Sequence, residues 1–123
     1  MYTLDTNILI YYAAGELPVT KFIFDVLNRA SIIYLPTITV VEFLAFPAIK
    51  ENEEVKFIKL LNKLNLVSLD SQIAFDAAKI RRQYRISLRD SVVAATALFT
   101  RSKLLTRNVR DFKKIAKLDV VEL

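Results

Sequence analysis

Cysteine and histidine are both missing from the 123 residues. Their absence excludes disulfides, thiolate or imidazole zinc sites, and every arrangement in which a histidine activates a nucleophile. A metal held by this chain must therefore be held by oxygen, which points to Mg2+ or Mn2+. Glycine occurs once and proline three times, which argues for dense secondary structure with short loops and against disorder. Repeats, linkers and low-complexity stretches are absent too. No apolar run reaches the roughly 18 residues that a membrane span needs. Asp5 and Glu16 interrupt the N-terminal region and no basic segment precedes it, so no signal peptide is expected. The expectation is a soluble, cytoplasmic protein with no membrane association.

What is present is apolar bulk and an uneven charge. Hydrophobic residues make up 54% of the chain, enough for one domain, residues 1–123, with a core that needs no staples. The excess hints at a further buried face, such as a dimer or partner surface. The net charge is +5, yet residues 1–78 carry −3 and residues 79–123 carry +8. An electropositive C-terminal third suits a polyanion, most simply nucleic acid, although a solvated basic face has the same composition.

Met1-Tyr2-Thr3-Leu4-Asp5-Thr6-Asn7 opens the chain as a short apolar strand stopped by a carboxylate, with a helix over Ile8–Tyr12 starting at once. Ligands of open α/β sheets bind outside the carboxyl ends of the strands, where Asp5 would stand. Val19, Phe22, Ile23, Val26, Leu27 and Ala30 follow helical spacing behind Pro18. Ile32–Leu35 reads as a second strand ended by Pro36. Thr37 is placed to cap a helix over Thr39–Phe46, apolar except for Glu42. A carboxylate there needs a cation, a metal or water. Glu51, Glu53 and Glu54 start another helix, with Val55, Ile58, Leu61 and Leu64 as its predicted inner face. Leu66–Leu69 is a third strand, and Asp70 after it reads as a helix cap. Ser87-Leu88-Arg89-Asp90 begins a helix so apolar on all sides that it must be central. Leu104–Thr106 is a fourth strand. Arg107–Phe112 leads into a basic helix carrying Lys113, Lys114 and Lys117, and Val120-Val121 is an edge strand. Strict alternation with short loops predicts an α/β fold, a parallel sheet of four to five strands with helices on both faces.

Without histidine or cysteine, carboxylates must carry any catalysis. If the first and fourth strands are neighbours, Asp5, Glu42, Asp90 and Asp111 can converge at one sheet edge. Four such groups repel one another strongly, and one divalent cation, or two about 4 Å apart, removes that cost. A bound metal also lowers the pKa of its water toward about 7, so a phosphodiester can be attacked without a histidine base.

Leu4-Asp5-Thr6-Asn7, Thr39-Val40-Val41-Glu42, Leu88 through Ala97 around Asp90, and Leu105 through Phe112 around Asp111 resemble, in order, the four signatures of PIN domains. Among these the chain is most similar to the small single-domain toxins of virulence-associated toxin–antitoxin pairs. The resemblance implies a three-layer α/β/α fold and a Mg2+- or Mn2+-dependent endoribonuclease acting on RNA. It further implies homodimers, and inhibition by a small antitoxin that often binds DNA. Carried over by position, Asp5, Glu42 and Asp90 match the three main acids. Asn108 stands where many relatives have the fourth, leaving Asp111 as the acid available. Thr6, Asn7, Thr106 and Asn108 are the supporting candidates, with local backbone capping the plainer role for Thr6 and Thr106. Arg89 departs from the small residue or proline common before the third acid. It faces solvent, pairs with an acid, or contacts substrate phosphate.

Two other readings fit part of the chain. A receiver-type phosphoryl-accepting domain has this length and alternation, with Asp70 as acceptor, but its acidic pair after the first strand is missing here, where Thr6-Asn7 follow Asp5. A PIN-like binding module without catalysis would keep the fold and tolerate Asn108.

Overall fold

The computed structural model describes residues 1–123. Five parallel strands form one sheet: β1 (Tyr2–Leu4), β2 (Ile33–Pro36), β3 (Asn65–Val67), β4 (Lys103–Thr106) and β5 (Val120–Glu122), in the order β3-β2-β1-β4-β5. Seven helices connect them: α1 (Thr6–Ala13), α2 (Leu17–Asn28), α3 (Thr37–Leu44), α4 (Glu51–Leu61), α5 (Ser71–Tyr84), α6 (Leu88–Thr100) and α7 (Val109–Phe112). The strand order places β1 and β4 side by side, as convergence of the acids requires. Leu4 pairs with Leu105 in register, and the Asp5 amide donates to the Leu105 carbonyl at 3.1 Å.

The sheet divides two cores. On one face Leu4, Leu35 and Leu105 pack with Ile8 and Leu9 of α1, Ile23 of α2, Phe43 of α3 and Phe57 of α4. On the other, Leu104 packs with Ile73 and Ala77 of α5, Val93 and Ala94 of α6, and Phe112. Leu104 and Leu105 thus serve opposite faces, as the two-residue period of a strand demands. The central helix is α6, which touches α3, α5, β1, β2 and β4. Its buried Ala94, Ala95 and Ala97 let the backbone lie close to the sheet. Hydroxyls fill the one polar gap there: Thr3 Oγ1 and Ser102 Oγ stand 2.6 Å apart, and Thr100 Oγ1 lies 2.8 Å from Ser102 Oγ.

Three local expectations need correction. The inner face of α4 carries Phe57 and Leu60, whereas Val55 and Ile58 are about half exposed. Thr37 does not cap α3: Pro36 ends β2 and holds the cap position, Thr37 is the first helical residue, and Thr39 Oγ1 donates to the Pro36 carbonyl at 2.6 Å. The basic C-terminal helix is a single turn, α7, which stops before Lys113, Lys114 and Lys117. Phe112 and Ile115 are still buried, but Lys113 caps the turn and Lys117 takes a left-handed conformation (φ 67°) that a helix cannot continue through.

Candidate functional site

Asp5 is fixed by the strand-to-helix junction that produces it. It is the N-cap of α1, with extended backbone, and its Oδ1 accepts the Thr6 amide at 2.8 Å. From β4, Thr106 Oγ1 donates to Asp5 Oδ2 at 2.8 Å. Both contacts favour the carboxylate, as does the positive end of α1. Yet Asp5 is almost wholly buried, and that burial, with the charge of Asp90 added, holds its pKa above the ordinary carboxylate value.

Asp90 sits in the first turn of α6, where Ser87 Oγ caps the helix by accepting the Asp90 amide at 3.0 Å. Its carboxylate is buried and accepts from Arg89 Nε at 3.3 Å. Glu42 lies on α3, half-buried, and both of its oxygens are engaged. Thr6 Oγ1 donates to Oε1 at 3.1 Å, and Arg89 Nη1 donates to Oε2 at 2.9 Å. Arg89 therefore pairs with two acids from two helices, and the bond to Glu42 raises its pKa further.

At the β4 end, the Asn108 amide donates to Thr106 Oγ1 at 3.0 Å, and Asn108 Nδ2 donates to Asp111 Oδ2 at 3.1 Å. Lys114 stands 3.9 Å from the other Asp111 oxygen, in a pair open to solvent and weak for that reason. Asp111, Asn108, Thr106, Asp5, Thr6, Glu42, Arg89 and Asp90 thus form one hydrogen-bonded chain across the carboxyl edge of the sheet. Asn7 does not join it, but lines the adjoining groove of ≈ 220 Å³ with Thr6, Ile10, Phe46, Glu42 and Arg89.

The structure links Asp5, Glu42, Asp90 and Asp111 by a relay of hydrogen bonds rather than by direct approach. No three acidic groups stand close enough to enclose a cation as they lie, because Arg89 and the two threonines occupy positions between them. Thr6 and Thr106 do more than cap backbone, since each hydroxyl reaches a carboxylate. Asp70 stays apart: it caps α5, accepting the Ile73 amide at 2.9 Å.

Arg107 was not visible from the sequence as a site residue. It pairs with Glu16, donates to the Leu123 carbonyl at 2.8 Å, and lies 4.0 Å from the Tyr11 ring centroid. These contacts pin the loop bearing Asn108 to the end of α1. Their partners are far away in sequence, so no local pattern announces them.

Comparison with known proteins gives a consistent picture. Residues 2–118 match the PIN domain family. The chain is 23% identical to ribonuclease VapC2 of Methanocaldococcus jannaschii, across 97% of this chain and 91% of that protein. It superposes on a chain of the Rickettsia felis VapBC2 structure, which is bound to a promoter DNA fragment, with a TM-score of 0.85 and 21% identity. That match covers 99% of this chain and 98% of the other. A toxin–antitoxin complex from Klebsiella pneumoniae matches at a TM-score of 0.80 and 28% identity, covering 98% and 96%.

Proposed function

The chain belongs to the PIN-domain family, and from that premise we propose that it is a divalent-metal-dependent endoribonuclease, the toxin of a toxin–antitoxin pair. The observation that carries the reading is the buried Asp5–Asp90 pair. Two like charges withdrawn from water, with the pKa of one raised by burial and by the other, are only partly offset by Arg89 beside Asp90, and a divalent ion between them removes the remaining cost.

The residues present suit Mg2+ or Mn2+. Every acidic donor is a hard oxygen, and imidazole and thiolate are absent from the chain. Asp5 and Asp90 would hold the ion, with Glu42 and Asp111 as further carboxylates in the same relay. When bound, such an ion supplies a positive centre for phosphoryl oxygen and makes water nucleophilic at neutral pH.

The chain's own groups supply orientation. Thr106 and the Thr6 amide fix the two Asp5 oxygens, so the carboxylate keeps one rotamer. Thr6 holds Glu42, and Asn108 holds both Thr106 and Asp111. The basic residues of the C-terminal third, Arg82 and Arg85 among them, attract the RNA backbone.

Exposed Ile10 and Phe46 in the groove suit an antitoxin segment or a second copy of the chain. Size-exclusion chromatography of the protein alone and with the product of a neighbouring short reading frame separates the two occupants. No helix is long and apolar enough to cross a membrane.

The test is cleavage of a mixed RNA substrate with Mn2+, with EDTA, and by the Asp5→Asn and Asp90→Asn variants. Cleavage is expected only from the wild type with metal. Hydrolysis that persists in EDTA and in both variants removes the proposal.

A further inference from the structure

We propose that Arg89 is a tethered cation that competes with a divalent metal for Glu42, and so sets how tightly the site binds its ion. The inference rests on the metal-dependent reading above and concerns the regulation of that same site.

The geometry is specific. Arg89 extends from the second residue of α6 and reaches across to α3, where Nη1 meets Glu42 Oε2 at 2.9 Å. Its Nε lies 3.3 Å from Asp90 Oδ1 on the next residue. One planar guanidinium thus spans two acids, a use of its fixed fork that a lysine cannot reproduce. The other Glu42 oxygen is taken by Thr6, so Glu42 has both oxygens committed to protein donors.

The charges carry the consequence. Asp5, Glu42 and Asp90 amount to −3 when ionised, and Arg89 reduces this to −2. A divalent ion entering beside Asp5 and Asp90 meets the positive charge of Arg89 in the same cleft. Glu42 can turn to such an ion only by releasing Arg89, and the guanidinium is then left beside a second cation. Either course weakens metal binding. The side chain of Arg89 is 40% exposed, so it has solvent into which to withdraw, and the pairing is reversible rather than locked.

This proposal is tested with Mn2+ alone, by isothermal titration calorimetry, which reads affinity and not cleavage. Arg89→Ala should bind Mn2+ about ten-fold more tightly than wild type, or about 1.4 kcal/mol. Arg89→Lys, which keeps the charge but loses the fork, should fall between. Measured against Glu42→Gln alone, the Arg89→Ala, Glu42→Gln double variant should show most of that gain lost, since the freed carboxylate is its main source. Circular dichroism of each variant checks that the fold is kept.

Equal or weaker Mn2+ binding by Arg89→Ala overturns the proposal while leaving the nuclease reading intact. A gain that survives undiminished in the Glu42→Gln background also overturns it, by assigning the whole effect to the charge of Arg89 and none to its hold on Glu42. Absence of Mn2+ binding in wild type and Arg89→Ala alike removes both readings, and RNA cleavage by the wild type is the separate check on the first.

Discussion

Replacing Asp5 by Asn should make the metal-free protein more stable, although Asp5 makes two good hydrogen bonds. The carboxylate is 1% exposed, and the Thr6 amide and Thr106 hydroxyl both support its charge. Burial and the charge of Asp90 outweigh them, which is why its pKa is raised. A carboxyl group whose pKa is higher in the folded than in the unfolded state holds its proton longer when folded. Stability therefore falls as pH rises through the interval between the two values, and the penalty is complete above the folded one. Asn carries no charge and escapes that penalty. It keeps an acceptor for the Thr6 amide, and Thr106 Oγ1 can rotate to accept from its amide nitrogen. The gain at pH 7.5 should be on the order of 1 kcal/mol, or about 4 °C in Tm for a domain of this size. It should shrink as pH is lowered and vanish below about 3, beneath the unfolded-state value of about 3.9, where the wild-type carboxyl is protonated in both states.

Thermal unfolding followed by circular dichroism, in EDTA and from pH 7.5 downward, measures this directly. Adding Mn2+ should reverse the order, because only the wild type gains stability from binding an ion. An Asn variant less stable than wild type at pH 7.5, or more stable by the same margin at every pH, refutes the reasoning.

Four further variants probe the same geometry. Asp90→Asn should lower Mn2+-dependent RNA cleavage by more than roughly 100-fold, beyond what loss of a supporting residue does, with an unchanged circular dichroism spectrum. Thr106→Val should cost about 1–2 kcal/mol in urea unfolding, since it removes the Asp5 donor and leaves the Asn108 amide without its acceptor. The same variant should weaken Mn2+ binding by about 10- to 100-fold in calorimetry. Phe57→Ala should destabilise by about 3–5 kcal/mol, because that ring is buried against Phe43 with centroids 4.2 Å apart. Phe46→Ser, on an exposed ring, should stay within about 0.5 kcal/mol of wild type in the same urea assay.

The alternation of strands and helices was legible because parallel strands allow no short hairpin, so each crossover must show as a helical pattern. The acids were legible for another reason: with histidine and cysteine absent, few residue types remained to do chemistry. The face of α4 was not. Val55, Ile58, Leu61 and Leu64 keep helical spacing, but so do Phe57, Leu60, Leu61 and Leu64. The two phases share their last members, and the larger Phe57 ring, which needs the space beside Phe43, decides between them. Arg89 was legible as a residue able to pair with an acid, and Asp90 beside it is one such partner, but its reach to Glu42 was not. Arg107 was illegible altogether: it finds Glu16 on an element distant in the chain, and such a pair leaves no periodic trace in the sequence.

Asn108 is the residue most easily misread. Standing where many PIN domains carry an acid, it suggests a site that has lost a charge and with it a function. In the fold its amide nitrogen donates to Asp111 at 3.1 Å, and its backbone amide donates to the Thr106 hydroxyl that in turn holds Asp5. An aspartate at 108 would place two carboxylates three residues apart in this turn, with no donor between them, and each would resist ionisation of the other. The neutral amide instead donates to Asp111 and ties it to the same network as Asp5. Asp111 is thus joined to Asp5 through Asn108 and Thr106. Asn108→Asp becomes the informative exchange: it should disorder the Asp111 contact, where Asn108→Ala would only release it.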